Sequence, residues 1–178
     1  MPADTPPSAL VMGRMACTEY LRQMLVALAF PTGADALGTK APLAAHADVW
    51  LIDHHFAGWP LDDAQVLQAL AQWLRLAGHH RLHLIGVDFD AVARAYPRFS
   101  RWRRDWSHRL DIHQPVDIPL PAGLRLLLAG QQAALWLDAP DPRLRKVTHP
   151  AQLATLRADI ADFLQRCEPA WPVTALGL

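Results

Sequence analysis

Residues 48–53, DVWLID, and residues 82–87, LHLIGV, are two short apolar runs. Each is bounded by turn residues and suits a buried strand. Between them lies DDAQVLQALAQWLRLAG, residues 62–78, where Val66, Leu67, Leu70, Trp73, Leu74 and Ala77 recur at helical spacing. Asp62 stands as the N-cap of that helix, with Asp63 in the first turn and Gln65 placed to complete a capping box. Gly78 follows the last turn, where a left-handed residue ends a helix. Strand, helix, strand in this order, with about 30 residues between strand starts, is a βαβ unit. Its two strands run parallel, joined by a right-handed crossover.

Outward from this unit, Gly58-Trp59-Pro60 breaks the chain after the first strand. Upstream, residues 31–47 (PTGADALGTKAPLAAHA) read as a loop, and Thr18–Phe30 as a helix with Leu21, Leu25 and Leu28 on one stripe. The short apolar stretch Met24–Phe30 has the outline of a secretory signal, but Asp4 and Glu19 offset Arg14 and Arg22, and the run has the minimum length. The chain therefore reads as cytoplasmic. Residues 1–8 (MPADTPPS) read as a disordered tail, leaving residues 9–178 as one α/β domain.

Downstream, Asp88 caps a helix over Phe89–Tyr96, and Pro97 interrupts it. Arg98–Arg109 forms a second helical piece, with Phe99, Trp102, Trp106 and Leu110 as its apolar stripe. Ile112, Val116, Ile118 and Leu120 alternate with polar residues and prolines, which suggests an edge strand or extended loop. Leu124–Leu128 and Ala133–Leu137, around Gly130-Gln131-Gln132, read as a β-hairpin. Asp138–Lys146 reads as a loop, and Pro150 opens a long final helix with Leu153, Leu156, Ile160, Phe163 and Leu164 inward. The fold class is α/β: a mixed sheet with a parallel βαβ start and a later hairpin, flanked by helices.

Composition narrows the function classes. The chain has 178 residues, 52% apolar and 19% charged, which excludes a disordered chain or a fibre. Lys+Arg and Asp+Glu are both 17, so no overall field draws it to DNA or membrane. No apolar run approaches the roughly 20 residues of a membrane span. The two cysteines, Cys17 and Cys167, are too few for a disulfide scaffold, and both fall in expected helices. Nucleophile elbows, P-loops, Gly-x-Gly-x-x-Gly and Cys-x-x-Cys are absent from the sequence.

The string GWPLDD (58–63), the block PRFSRWRRDWSH (97–108) and the closing TALGL (174–178) resemble a family of uncharacterised bacterial proteins with the fold of one half of a phospholipase D-type enzyme. The resemblance covers Cys17–Leu178. It implies a phospholipase D-like half-fold that pairs with a second copy, hence a homodimer. Enzymes of that type use His-x-Lys-x4-Asp, in which the His attacks phosphorus. Here Gly38 and Leu144 stand two residues before Lys40 and Lys146, so the motif is missing. His79-x-Arg81 is a near form, but Gly86 occupies the Asp position. Trp59, Trp136 and Trp171, near prolines or element edges, read as further support for a two-fold interface.

Three constellations could carry chemistry. Asp53 and Asp88 end the two parallel strands, where ligands of open α/β sheets bind. With His54 and His55 they could serve a divalent metal or acid–base work in a metal-dependent hydrolase. The set His79, His80 and His83 straddles Gly78 and a strand, so helical metal-pair spacing is lost and His83 reads as a partly buried strand residue. In the segment 94–109, Arg94, Arg98, Arg101, Arg103, Arg104 and Arg109 alternate with Tyr96, Phe99, Trp102 and Trp106. The aromatics read as core and the arginines as surface. Arg98, Arg101, Arg104 and Arg109 are the candidate ligands for a phosphate-rich partner or nucleic acid. The leading expectation is a non-catalytic binding or interaction module on a degenerate phospholipase D-like fold, with no cofactor, no resident metal and an unknown protein partner. The alternatives are the anion- or nucleic-acid-binding protein and the metal-dependent hydrolase.

Overall fold

The computed structural model describes residues 10–29, 48–121, 123–137 and 142–172. The expected tail 1–8, the loop 31–47 and the closing TALGL lie outside these residues. Within them the chain runs β1 (Leu10–Met12), α1 (Arg14–Ala27), β2 (Asp48–Ile52), α2 (Ala64–Leu76), β3 (Arg81–Ile85), α3 (Phe89–Ala95), α4 (Pro97–Asp105), β4 (Leu110–Pro115), β5 (Leu124–Ala129), β6 (Gln132–Leu137), β7 (Arg143–Val147), α5 (Pro150–Leu164) and β8 (Cys167–Pro169).

The strands described form one mixed sheet in the order β1-β7-β6-β5-β2-β3-β4-β8. The expected βαβ unit is its centre: β2 and β3 pair in parallel, Val49 opposite Leu82 and Leu51 opposite Leu84. β4 extends the parallel part on the far side of β3. The β5–β6 hairpin forms as expected, and β5 lies antiparallel against β2. The chain thus places a parallel half beside an antiparallel half, joined at β2–β5.

Alternation along the strands separates two cores. Val49, Leu51, Leu82, Leu84, Leu127 and Trp136 turn toward α1–α4, where they meet Leu21, Leu25, Leu70, Trp73 and Phe99. Ile52, Ile85, Leu126 and Leu128 turn the other way and are covered by Leu153 and Ile160 of α5. Helices therefore flank both faces.

Several local expectations are corrected. The N-cap of α2 is Asp63, whose carboxylate accepts from the Gln65 and Val66 amides at 2.8 and 3.0 Å. Asp62 instead accepts from the Arg98 and Phe99 amides and so caps the first turn of α4 across space. The piece Arg98–Arg109 is not one helix: α4 ends at Asp105 and a 3-10 turn covers Ser107–Arg109. Residues 143–147 form β7 in place of the expected loop, because Leu144 and Val147 bury beside β6. β4 is an inner strand, since β8 covers its outer side through Pro115–His113. Cys167 is in that short strand and not in a helix. The first helix begins at Arg14, before Thr18, and ends at Ala27. Trp59 and Trp136 are 3% and 1% exposed, so they complete the chain's own core and offer nothing to an interface.

The aromatic stripe of α4 is graded. Phe99 is fully buried, whereas Trp102 and Trp106 are half-buried at the margin of the core. Phe99→Ala should therefore cost about 3–5 kcal/mol, with Trp106→Ala costing clearly less. Urea unfolding of both variants checks this, and equal destabilisation would contradict the packing described.

Candidate functional site

The strand ends are built first by hydrogen bonds. Asp53, immediately after β2, is 2% exposed. Its Oδ1 accepts from the His55 and Phe56 amides at 3.0 and 3.1 Å. Its Oδ2 accepts from Trp59 Nε1 at 2.7 Å and lies 3.0 Å from Arg125 Nε. The Arg125 guanidinium stands 4.8 Å from the centre of the Trp136 ring. Asp53 thus folds the 54–60 loop and pairs with a buried cation on β5. Phe56 takes a left-handed φ of 54°, unusual for an aromatic residue, and its carbonyl accepts from Tyr96 Oη at 2.6 Å.

Asp88 is spent in a different way. Its carboxylate accepts from the Ala91 amide at 2.8 Å and caps α3, as its position after the strand suggests. The backbone joins the two strand ends: the Val87 and Asp88 amides both donate to the His54 carbonyl. Gly86 sits where the loops cross, since a Cβ there would stand 2.9 Å from the Phe56 ring and 3.1 Å from the Asp53 carbonyl. His54 is half-buried and His55 exposed, with ring centres 5.9 Å apart. Among the described residues no three His, Cys, Asp or Glu side chains are grouped so as to hold a metal ion.

The histidine set divides as its spacing implies. His79 is exposed. His80 is buried, stacks on Trp73 and bonds its carbonyl through Nδ1 at 2.7 Å. His83 lies flat on Trp50, with ring centres 3.9 Å apart. It sits between Asp48, 2.9 Å from Nε2, and Asp111, 3.5 Å from Nδ1. This polar row comes from register alone, because Trp50 pairs with His83 and His83 with Asp111. His113, two residues along the same strand face, is held below the usual histidine range by burial and by the nearby His83, against the opposing pull of Asp111.

The arginines of 94–109 are distributed over α3, α4 and the 3-10 turn. Arg98, Arg101 and Arg104 are exposed along α4 at three-residue spacing. No described carboxylate forms an ion pair with any of them. Arg109 is half-buried, and its guanidinium donates to the Ala77 and Gly78 carbonyls at 3.0 and 2.6 Å, closing the end of α2. Arg103 turns inward and is 6% exposed. The structure thus brings three of the four candidate anion ligands onto one helix and ties the fourth to the backbone. Sequence reasoning missed Arg125 as the partner of Asp53. The signal for it was an arginine inside the leucine run LRLLLA, residues 124–129.

NucT from Helicobacter pylori superimposes with a TM-score of 0.53 at 7% identity, over 92% of this chain and 98% of that one. At this identity the likeness shows the fold alone, a mixed α/β sheet flanked by helices. A second match is TrmBL2, described as an archaeal chromatin protein with a novel mode of DNA binding, with a TM-score of 0.58 at 12% identity. It covers 96% of this chain, which spans only 57% of that protein's length. No protein-family model matches the sequence, and no curated protein matches it either.

The bonds around Asp53 give a direct stability test. Asp53→Ala removes the carboxylate that accepts from two loop amides and the Trp59 indole and that stands beside Arg125, so it should cost about 3–5 kcal/mol. Asp88→Ala removes one helix cap and should cost about 1 kcal/mol. Chemical denaturation of the two variants measures the difference, and a near-neutral Asp53→Ala would contradict the role assigned to the carboxylate.

Proposed function

We propose that this chain is a non-catalytic binding module on a degenerate phospholipase D-like fold, and that its partner is a phosphate-rich polyanion, nucleic acid in the first instance. The observation that carries this reading is the outer face of α4. Three guanidinium groups, Arg98, Arg101 and Arg104, are exposed there without carboxylate partners among the described residues. Guanidinium groups presented in this way suit bidentate bonding to phosphate oxygens. The zero net charge does not oppose the reading, because a local stripe is what meets a phosphate backbone.

Further facts support it. The carboxylates that acid–base or metal chemistry would need at the strand ends, Asp53 and Asp88, are engaged in bonds that build the loop and the helix cap. The sequence also lacks His-x-Lys-x4-Asp, which deprives the fold of its usual phosphorus nucleophile. TrmBL2, with a similar fold, is described as binding DNA, which supports this class of ligand. Free thiols at Cys17 and Cys167 suit a reducing, cytoplasmic setting. The resemblance to bacterial half-fold proteins further supports pairing with a second copy. The edge strand β1 and the start of α1 expose Leu10, Met12 and Met15, a site where such a copy could add. Sedimentation at micromolar concentration distinguishes the 19.8 kDa monomer from a species of twice that mass.

The binding test uses a fluorescent DNA duplex and anisotropy across a salt series. Arg101→Ala with Arg104→Ala should weaken binding and lower the slope of log affinity against log salt by about 2, one unit for each arginine withdrawn from the phosphate backbone. A chain that ignores the duplex at low salt, or a double variant that binds unchanged, would refute the proposal.

A further inference from the structure

α4 sends one arginine the opposite way from the outer stripe. Arg103 is 6% exposed, and none of the ion pairs among the described residues includes it. Burial, together with repulsion from the neighbouring cation Arg104, pushes the guanidinium below its usual range. Nη1 donates to the Trp171 carbonyl at 2.5 Å. The guanidinium carbon lies 4.0 Å from the centre of the Trp171 ring. Nε is buried and has no hydrogen-bond partner. Buried guanidinium groups are normally matched by carboxylates, as Arg125 is by Asp53, because an unmatched buried charge is strongly unfavourable.

A cavity of about 270 Å³ opens beside this group, lined by Arg103, Ser107, Ile112, Ala170, Trp171 and Pro172, among others. Asp111 also borders it through β4, but strand alternation turns the Asp111 carboxylate to the opposite sheet face, where it meets His83. Leu110 and Ile112 face the helices instead. Arg103 therefore supplies the positive charge of this wall. Trp171 holds a left-handed φ of 48°, a sparsely populated conformation for a bulky residue, and in it the carbonyl and ring both meet Arg103. The cation is oriented from two sides, while its Nε is left without an acceptor.

We propose that this cavity is a phosphoryl-binding site, with the Arg103 guanidinium as its principal ligand and the Ser107 hydroxyl as a second donor at the rim. A phosphoryl group in the cavity supplies the negative charge that the buried guanidinium lacks among the described residues. The occupant is a free phosphate, a small phosphomonoester or the phosphorylated end of a nucleic-acid strand, which share this group. The site is separate from the outer stripe of α4 and goes beyond the reading of that stripe.

Trp171 stacks on Arg103, so tryptophan fluorescence reports on the cavity. Inorganic phosphate, titrated at constant ionic strength against chloride, should change the fluorescence of the wild-type chain saturably. Arg103→Met, which keeps an unbranched side chain and removes the unmatched charge, should bind phosphate at least about 10-fold more weakly, in line with losing a charge-assisted hydrogen bond. Ser107→Ala should weaken it less, and as a surface change it keeps the test decisive should Arg103→Met fold poorly. Arg101→Ala with Arg104→Ala should lose the DNA duplex and keep phosphate, which separates failure of this site from failure of the outer stripe. A wild-type chain with no saturable response, or an Arg103→Met variant that binds phosphate as well as wild type, overturns the proposal. Competition of phosphate with a 5′-phosphorylated oligonucleotide, but not with its 5′-hydroxyl form, identifies a strand end as the occupant. Absence of that competition identifies a free or small phosphorylated ligand.

Discussion

The buried carboxylate of Asp53 joins the two halves of this sheet. It follows β2 in the parallel half and pairs with Arg125 on β5, the first strand of the antiparallel half. Its second oxygen takes two backbone amides of the 54–60 loop, and Trp59 adds a third kind of donor. A charge at 2% exposure is tolerable only when its hydrogen-bonding capacity is satisfied and an opposite charge lies beside it. The loop, the ion pair and the β2–β5 pairing therefore depend on one another, and loss of any one leaves a polar group stranded in the core.

That arrangement shapes the carboxyl ends of the parallel strands. Open α/β sheets usually leave a crevice beyond the carboxyl ends of their parallel strands. Here the loop after β2 folds back over that end, bonds to residues after β3 through the His54 carbonyl, and presses Phe56 against Gly86. Asp88 is turned into α3 as its cap. On the α1–α4 side of the sheet α4 projects Arg98, Arg101 and Arg104 outward and Arg103 inward. A nine-residue helix can do both because three-residue steps keep Arg98, Arg101 and Arg104 on a common side, while Arg103 falls on the side of Phe99.

The opposite sheet face has its own polar feature. Asp48, His83 and Asp111 form a row across three parallel strands, with His83 resting on Trp50. This row lies on the α5 side of the sheet, away from the outer arginines of α4, and Asp48 bonds Nε2 of a histidine set in an apolar strand. The half-buried ring keeps its place because the indole covers one of its faces and a carboxylate stands beside each nitrogen.

The sequence by itself determined the elements whose signals are local. The βαβ unit, the hairpin around Gly130, the cap at Asp88 and the Pro150 helix are all legible from periodicity, turn residues and caps, since each depends on neighbours a few residues away. The absence of a His-x-Lys-x4-Asp string is legible there too, since it requires only reading residue types in order. Tertiary structure alone decided the remainder. β7 reads as a loop because Arg143, Arg145 and Lys146 mask its two buried residues, Leu144 and Val147, until β6 pairs with it. Asp62 and Asp63 are indistinguishable as caps in the sequence, and only the approach of α4 gives Asp62 a different helix to cap. Asp53 could not be told from a catalytic carboxylate without Arg125, which lies 72 positions later in the chain and reaches it only through the antiparallel pairing of β5 with β2. The inward turn of Arg103 is of the same kind, because helical position settles which residues share a side, and only packing against Trp171 shows which side is the interior.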